Sequence, residues 1–391
     1  MIIKKFGSSR IKSTILVLLI IIFGEGIYLI SAYRKTLSTL NISIAYCDKF
    51  QNLGSKQQCW EDLLSSTVKK TGISDAFLIF DNLYKTEPQF ASGCHGYAHR
   101  LGEETYQLLI KGRDFDFPPQ TAYCGYGFYH GLTEPLLQKN GIKTAGQFCD
   151  SKKSQITQIL YDACYHGIGH GALSLTAKDK NMWGNAQKMI NSALTLCIES
   201  TSNPIQRSRC ASGVFMELGN NYNQLNLIIN MKDPLAICRE QQEFGKMDCY
   251  TQMNGVLNMI AGGKLRESAK FVEAIEEDKY AIEAIITLAA PTVDITKADF
   301  TEDINICRDL QSRLRLPCIK GFVLAFLLKG LPGVEYEQAI DFCKTPAFSE
   351  DERESCNELL LRHSSEMYSA STMKIICDKV QSQHKENYCN N

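Results

Sequence analysis

Cys94-His95-Gly96-Tyr97-Ala98-His99, Cys124-Gly125-Tyr126-Gly127-Phe128-Tyr129-His130-Gly131 and Cys164-Tyr165-His166-Gly167-Ile168-Gly169-His170-Gly171 are three related phrases in a stretch that closes at Leu173. Five of the seven histidines of the chain lie in them. His95 and His99 are four residues apart, as are His166 and His170; Glu103 follows His99 by four and Glu134 follows His130 by four. On a helix that spacing stacks side chains on one face, one turn apart. The phrases therefore offer three sets of candidate ligands: His95/His99/Glu103, His130/Glu134 and His166/His170. If the three helices are neighbours, five imidazoles and two carboxylates face one cleft within residues 94–174.

Working outward, the cysteines carry the fold. There are sixteen, and fourteen fall into local pairs with ten to fourteen residues between partners: Cys47/Cys59, Cys149/Cys164, Cys197/Cys210, Cys238/Cys249, Cys307/Cys318, Cys343/Cys356 and Cys377/Cys389. Cys94 and Cys124 remain, and pair with each other. A disulfide closing a loop of this size contributes ~3 kcal/mol in the chain-entropy account. The second cysteine of a pair often opens an apolar helical phrase, as at Cys210, Cys249 and Cys318, while the first ends or follows another, as at Cys197 and Cys343. The unit is helix, Cys, loop, Cys, helix. From Cys164 onward successive second cysteines recur about every thirty to forty-six residues, and the long interval from Cys249 to Cys318 holds two helical patterns, around 265–277 and 280–290. That is the period of helical-hairpin arrays, whose units stack and bury a continuous core. Alternating strand patterns are almost lacking. The expected fold is all-α: a disulfide-stapled helical-hairpin repeat array, α-solenoid-like, after an N-terminal membrane helix. In period and helix pairing alone the array resembles tetratricopeptide-type solenoids; their Trp/Leu/Gly/Tyr signature is missing.

The N-terminus supplies an export route. Lys4, Lys5, Arg10 and Lys12 precede an apolar run from Ile15 to Phe23. Basic residues stay cytoplasmic, so the remainder is expected outside. Residues 1–12 read as a cytoplasmic basic tip, 13–32 as a transmembrane signal anchor, 33–41 as a linker and 42–391 as the extracytoplasmic helical-repeat domain, periplasmic or extracellular. Glu25 opposes a spanning helix by about 2.5–3.5 kcal/mol, and Ser31-Ala32 would suit cleavage of a signal peptide. Ile27, Leu29 and Ile30 continue the apolar character and favour the uncleaved anchor. Either way the cysteines meet an oxidising compartment. The formal net charge of −1 gives no attraction to nucleic acid.

Three features narrow the chemistry. A His-Glu-x-x-His protease helix is excluded because Gly96 and Gly167 follow the first histidines. Cys-x-x-Cys-His haem attachment does not occur. Imidazole with carboxylate suits Zn, Fe, Mn or Cu, and seven candidates could serve one ion or two. The glycines of the three phrases, each about 1 kcal/mol worse than Ala inside a helix, call for a reason: close helix approach, with or without a site. Tyr97, Tyr126, Tyr129 and Tyr165 read as pocket walls or as packing between repeats. Glu217, in the next repeat, could face the same cleft, though an acid on a helix face is ordinarily solvated. His363 and His384 stand alone. Two functions follow: a membrane-anchored metalloprotein, with or without catalysis, or a metal-free solenoid scaffold binding a protein or peptide on its concave face.

Overall fold

The computed structural model describes residues 45–113, 115–221, 229–292, 299–330 and 334–389. The expected basic tip, membrane helix and linker lie outside them. Among the described residues every regular element is helical, and no helix is long and apolar enough to cross a membrane.

The helices are α1 (Leu53–Lys70), α2 (Ile73–Thr86), α3 (Pro88–Leu109), α4 (Gly127–Asn140), α5 (Ile142–Lys152), α6 (Gln158–Thr176), α7 (Ala186–Ser200), α8 (Pro204–Asn221), α9 (Ala236–Arg239), α10 (Glu243–Gln252), α11 (Asn254–Ile260), α12 (Leu265–Glu273), α13 (Asp278–Ala289), α14 (Thr301–Asp309), α15 (Ser312–Lys329), α16 (Glu335–Cys343), α17 (Glu350–Met367), α18 (Ala370–Lys379) and α19 (Glu386–Cys389). Their ends follow local chemistry. Asn52 caps α1 through its side chain, and Ser349 and Glu352 form a reciprocal capping box at α17. Pro88 opens α3, where its missing N–H costs nothing. Gly141, at φ 85°, ends α4 and opens α5, a left-handed turn that a side chain would strain.

The packing order is regular. Helices α3, α4, α6, α8, α10, α13, α15 and α17 each lie against the next of that row, while α5, α7, α12, α14, α16 and α18 flank it. One contiguous apolar core runs between them, from Trp60, Phe80 and Phe90 through Phe128 and Phe215 to Phe322 and Phe342. Eight disulfides staple the elements, all with the partners read from the spacing, and no described cysteine is free. The Cα atoms of each pair are 5.4–6.0 Å apart, an ordinary disulfide separation. Eight disulfides fit an oxidising, extracytoplasmic environment.

One expected element differs. The phrase from Cys249 to Ile260 reads as a single apolar helix, but it breaks at Met253 between α10 and α11. Upstream, Gly245 at φ 84° also interrupts the helix, next to Phe215 and Leu194.

Candidate metal centre

The three phrases fall on α3, α4 and α6, which are consecutive members of the packed row. Glycine sets how closely they approach. A Cβ on Gly131 of α4 would stand 1.8 Å from the His99 carbonyl oxygen of α3, and one on Gly169 of α6 would stand 1.9 Å from the Cys210 carbonyl oxygen of α8. Neither position can carry a side chain unless the helices part. Because the backbones touch at these turns, the histidines on them, His130 beside Gly131 and His170 beside Gly169, are brought ring to ring.

His130 and His170 stack with centroids 4.0 Å apart; His130 and His166 are at 5.4 Å, and His166 and His170 at 5.0 Å. One ring nitrogen from each of the three lies within 4.8 Å of the other two. His130 and His170 are buried, at 3% and 5% exposure, and His166 is half-buried. This group could hold a metal ion.

Two atomic details define it. The Nε2 atoms of His166 and His170 are 3.2 Å apart. Two bare lone pairs repel at that distance, so either one nitrogen carries a proton or a cation lies between them. Two nitrogens on one tetrahedral zinc, with Zn–N near 2.0–2.1 Å, are separated by ~3.3 Å. The second detail is His130 Nε2, which is buried and has no hydrogen-bond partner among the described residues. A buried polar atom with no partner calls for a physical explanation, and an ion is one.

The electrostatics disfavour the charged form of His130 and His166. His130 is held well below the ordinary imidazole pKa, first by burial and then by the charges of His170, His166, His95 and His99. His166 is lowered in the same way, by burial, then His170 and Arg209, against a backbone hydrogen bond at Arg209. Neutral imidazole is the ligating form.

The carboxylate that reaches the group is Glu217, from α8. Its Oε2 is 2.9 Å from His170 Nδ1, and its Oε1 accepts from Ser174 Oγ at 3.1 Å. A carboxylate behind a histidine fixes the tautomer, directing Nε2 outward. The sequence carries this acid in the repeat after the last histidine phrase, where it reads as a solvated helix face; the close α6–α8 contact makes it a partner of His170 instead.

The other candidate residues are distributed around the trio. His95 is at its edge, with its ring 5.2 Å from that of His130 and its Nδ1 2.7 Å from the Cys124 carbonyl oxygen. His99 turns to carboxylates: its Nδ1 is 3.3 Å from Glu103 and its Nε2 3.9 Å from Glu134. Glu103 also holds Arg100 at 2.6 Å, and Glu134 accepts from Gln138. His99, Glu103 and Glu134 line a groove of about 760 Å³ on the surface, so the expected convergence of all seven residues is replaced by a trio, an edge histidine and a separate His–Glu set. The tyrosines pack: Tyr97 stacks on Phe90, Tyr129 on Phe117, and Tyr165 bonds to Asp150. His363, on α17, and His384, beyond α18, lie outside these helices.

No protein-family model matches the chain, and neither a curated protein nor a solved structure matches it. The reading of the site therefore stands on its geometry.

Proposed function

We propose that this is an exported metal-binding protein, built as a disulfide-stapled helical-hairpin array, whose metal centre is formed by His130, His166 and His170. The observation that carries this is the set of three facing nitrogens: two Nε2 atoms 3.2 Å apart and a third, buried and unpartnered, within 4.8 Å. Three imidazoles suit Zn, Cu or Fe more than Mn, which prefers oxygen donors. Bound there, the ion would supply Lewis acidity and positive charge; the chain's part is to hold three facing imidazoles, to orient His170 through Glu217, and to limit water by burial. Three protein nitrogens leave a fourth place on a tetrahedral ion. An exchangeable ligand there makes the centre of the catalytic type; a fourth protein ligand closes it. Residues 13–32 anchor the domain to the membrane in this reading.

A scaffold role is supported by one observation. Gly321 makes the same close approach, to the Ile286 carbonyl oxygen, in a region without histidine, so the tight row does not exist for the metal alone. The concave face of such an array would then take a protein or peptide.

Metal analysis of the exported domain, equilibrated with Zn(II) or Co(II) and dialysed, separates the two. The metal reading expects about one ion per chain, lost on His130→Ala or His166→Ala while the disulfide-held helix content is unchanged. Wild-type protein without tight metal would refute it in favour of the scaffold.

A further inference from the structure

The edge histidine, His95, is exposed and lies outside the set of nitrogens within 4.8 Å of one another, so it would have to swing inward to bind; three features favour that. Its Nδ1 is 2.7 Å from the Cys124 carbonyl oxygen. A carbonyl only accepts, so Nδ1 carries the proton and Nε2 is left as a lone pair, the arrangement found behind metal-bound histidines. Its ring is 5.2 Å from that of His130, nearer than the 5.4 Å between His130 and His166, both members of the trio. Finally, room is kept for it. A Cβ on Gly127 would stand 2.6 Å from the His95 carbonyl oxygen and 3.1 Å from its Nδ1.

The carbonyl that holds His95 is presented by an unusual turn. Cys124, Gly125 and Tyr126 are all left-handed, with φ of 58°, 65° and 61°. Two of the three are not glycine, and L-residues with a Cβ adopt this region rarely. The turn is tied by the Cys94–Cys124 disulfide to the residue immediately before His95. This disulfide spans 30 residues, whereas the other seven span 11–15, and Cys124 precedes its helix instead of lying within it.

We propose that His95 is the fourth ligand of the His130/His166/His170 centre, and that the Cys94–Cys124 disulfide and its left-handed turn position it there. This rests on the metal reading above. It makes the centre a closed, four-imidazole site of the structural or metal-carrying type, without an exchangeable water. The disulfide acts through His95: it fixes the carbonyl that fixes the ring.

The test uses the exported domain loaded with Co(II) for absorption and Zn(II) for X-ray absorption fine structure. Wild type is expected to show four imidazole nitrogens. His95→Ala, which keeps all eight disulfides, is expected to show three imidazoles with one exchangeable oxygen and to bind at least about tenfold more weakly. Cys94→Ser/Cys124→Ser is expected to lose about 10–100-fold, the range for removing a group that orients a ligand. The variant combining all three substitutions should bind no more weakly than His95→Ala, since residues acting through one another are not additive. Wild-type coordination and affinity in His95→Ala would overturn the proposal, as would additive losses in the combined variant. Loss of metal in His166→Ala but not in His95→Ala would leave the three-histidine centre standing and remove only the fourth ligand. Failure of the wild type to take up either metal would remove both.

Discussion

Glu217→Ala gives the sharpest test of how the centre is supported. In the structure Glu217 Oε2 lies 2.9 Å from His170 Nδ1 and Oε1 takes the Ser174 hydroxyl, with the carboxylate side chain 15% exposed. A hydrogen bond to a charged group contributes about 1.5–3 kcal/mol net. Part of that is present without metal. Metal bound at Nε2 withdraws electron density from the ring, makes the Nδ1 proton more acidic and strengthens the bond, so the contribution is larger in the loaded state. Removing an orienting partner of this kind costs about 10–100-fold in affinity, equivalent to about 1.4–2.7 kcal/mol. Glu217→Gln keeps an acceptor but loses the charge, and its cost is expected near the lower end, about tenfold. The assay is a Zn(II) competition titration against a chromophoric chelator at pH 7.5, with circular dichroism to check the fold. An affinity within about twofold of wild type in folded Glu217→Ala would refute the reasoning: His170 would not then present Nε2 to a metal, and Glu217 would be only a core hydrogen-bond acceptor.

Three other outcomes are expected. Gly131→Ala, with its Cβ 1.8 Å from a carbonyl oxygen, should destabilise by about 1–3 kcal/mol or more, whereas Gly96→Ala, with nothing within 4 Å of its Cβ, should stabilise by about 0.5–1 kcal/mol; chemical denaturation reads both, and equal effects would contradict the close packing. The metal-free protein should lose stability as the pH falls below the ordinary histidine value of ~6.5: His130 and His166 have lowered pKa values in the fold, so the unfolded chain takes up protons first, by up to about 1.4 kcal/mol per pH unit for each group until the folded pKa is reached. Denaturation midpoints at pH 7.5 and 5.5 check this, against His130→Phe as a reference that lacks one of the two groups. Asp248 has the opposite sign, because burial raises its carboxyl to about 6 despite the Ser208 hydroxyl; Asp248→Asn should therefore stabilise at pH 8 by about 1–2 kcal/mol, an advantage that shrinks as the pH drops through 6 and that a pH-independent difference would refute.

Most of the architecture was legible because it is local. Seven disulfides join partners within fifteen residues, so their spacing specifies them, and Cys94–Cys124 follows as the pair that remains. The helical periodicity is equally local. The break at Met253 was not legible, since the apolar pattern continues through it and the interruption at Gly245 is packed against Phe215 and Leu194, which lie far away in sequence. The same limit applies to the site. Spacing puts His99 with Glu103 and His166 with His170, and those contacts form. It says nothing of how α3, α4 and α6 rotate about their axes. That rotation turns His99 toward Glu134 and the groove, while His130 stacks on His170. Glu217 was named as an acid that could face the cleft, but only the packing of α8 on α6 shows that it reaches His170.

The glycines join the two levels. An interior glycine weakens its own helix, and the sequence alone cannot tell whether packing or a site is the reason. In the structure the close contacts made by several of these glycines fall on the turns that carry the histidines. Gly213 of α8 approaches the His166 carbonyl oxygen, and Gly131 approaches that of His99, so the contacts fall on the histidine-bearing turns themselves. Helices held this close leave too little space between them for two ordinary layers of side chains. The planar imidazoles of His130 and His170 fit by stacking, and the buried Nε2 of His130, whose charged form is disfavoured there, is left without a hydrogen-bond partner among the described residues. Gly321 shows that the row can close without histidine. A metal centre of the proposed kind would therefore need no new architecture here: only imidazoles at turns already brought together, and one acid, Glu217, on the next helix of the row.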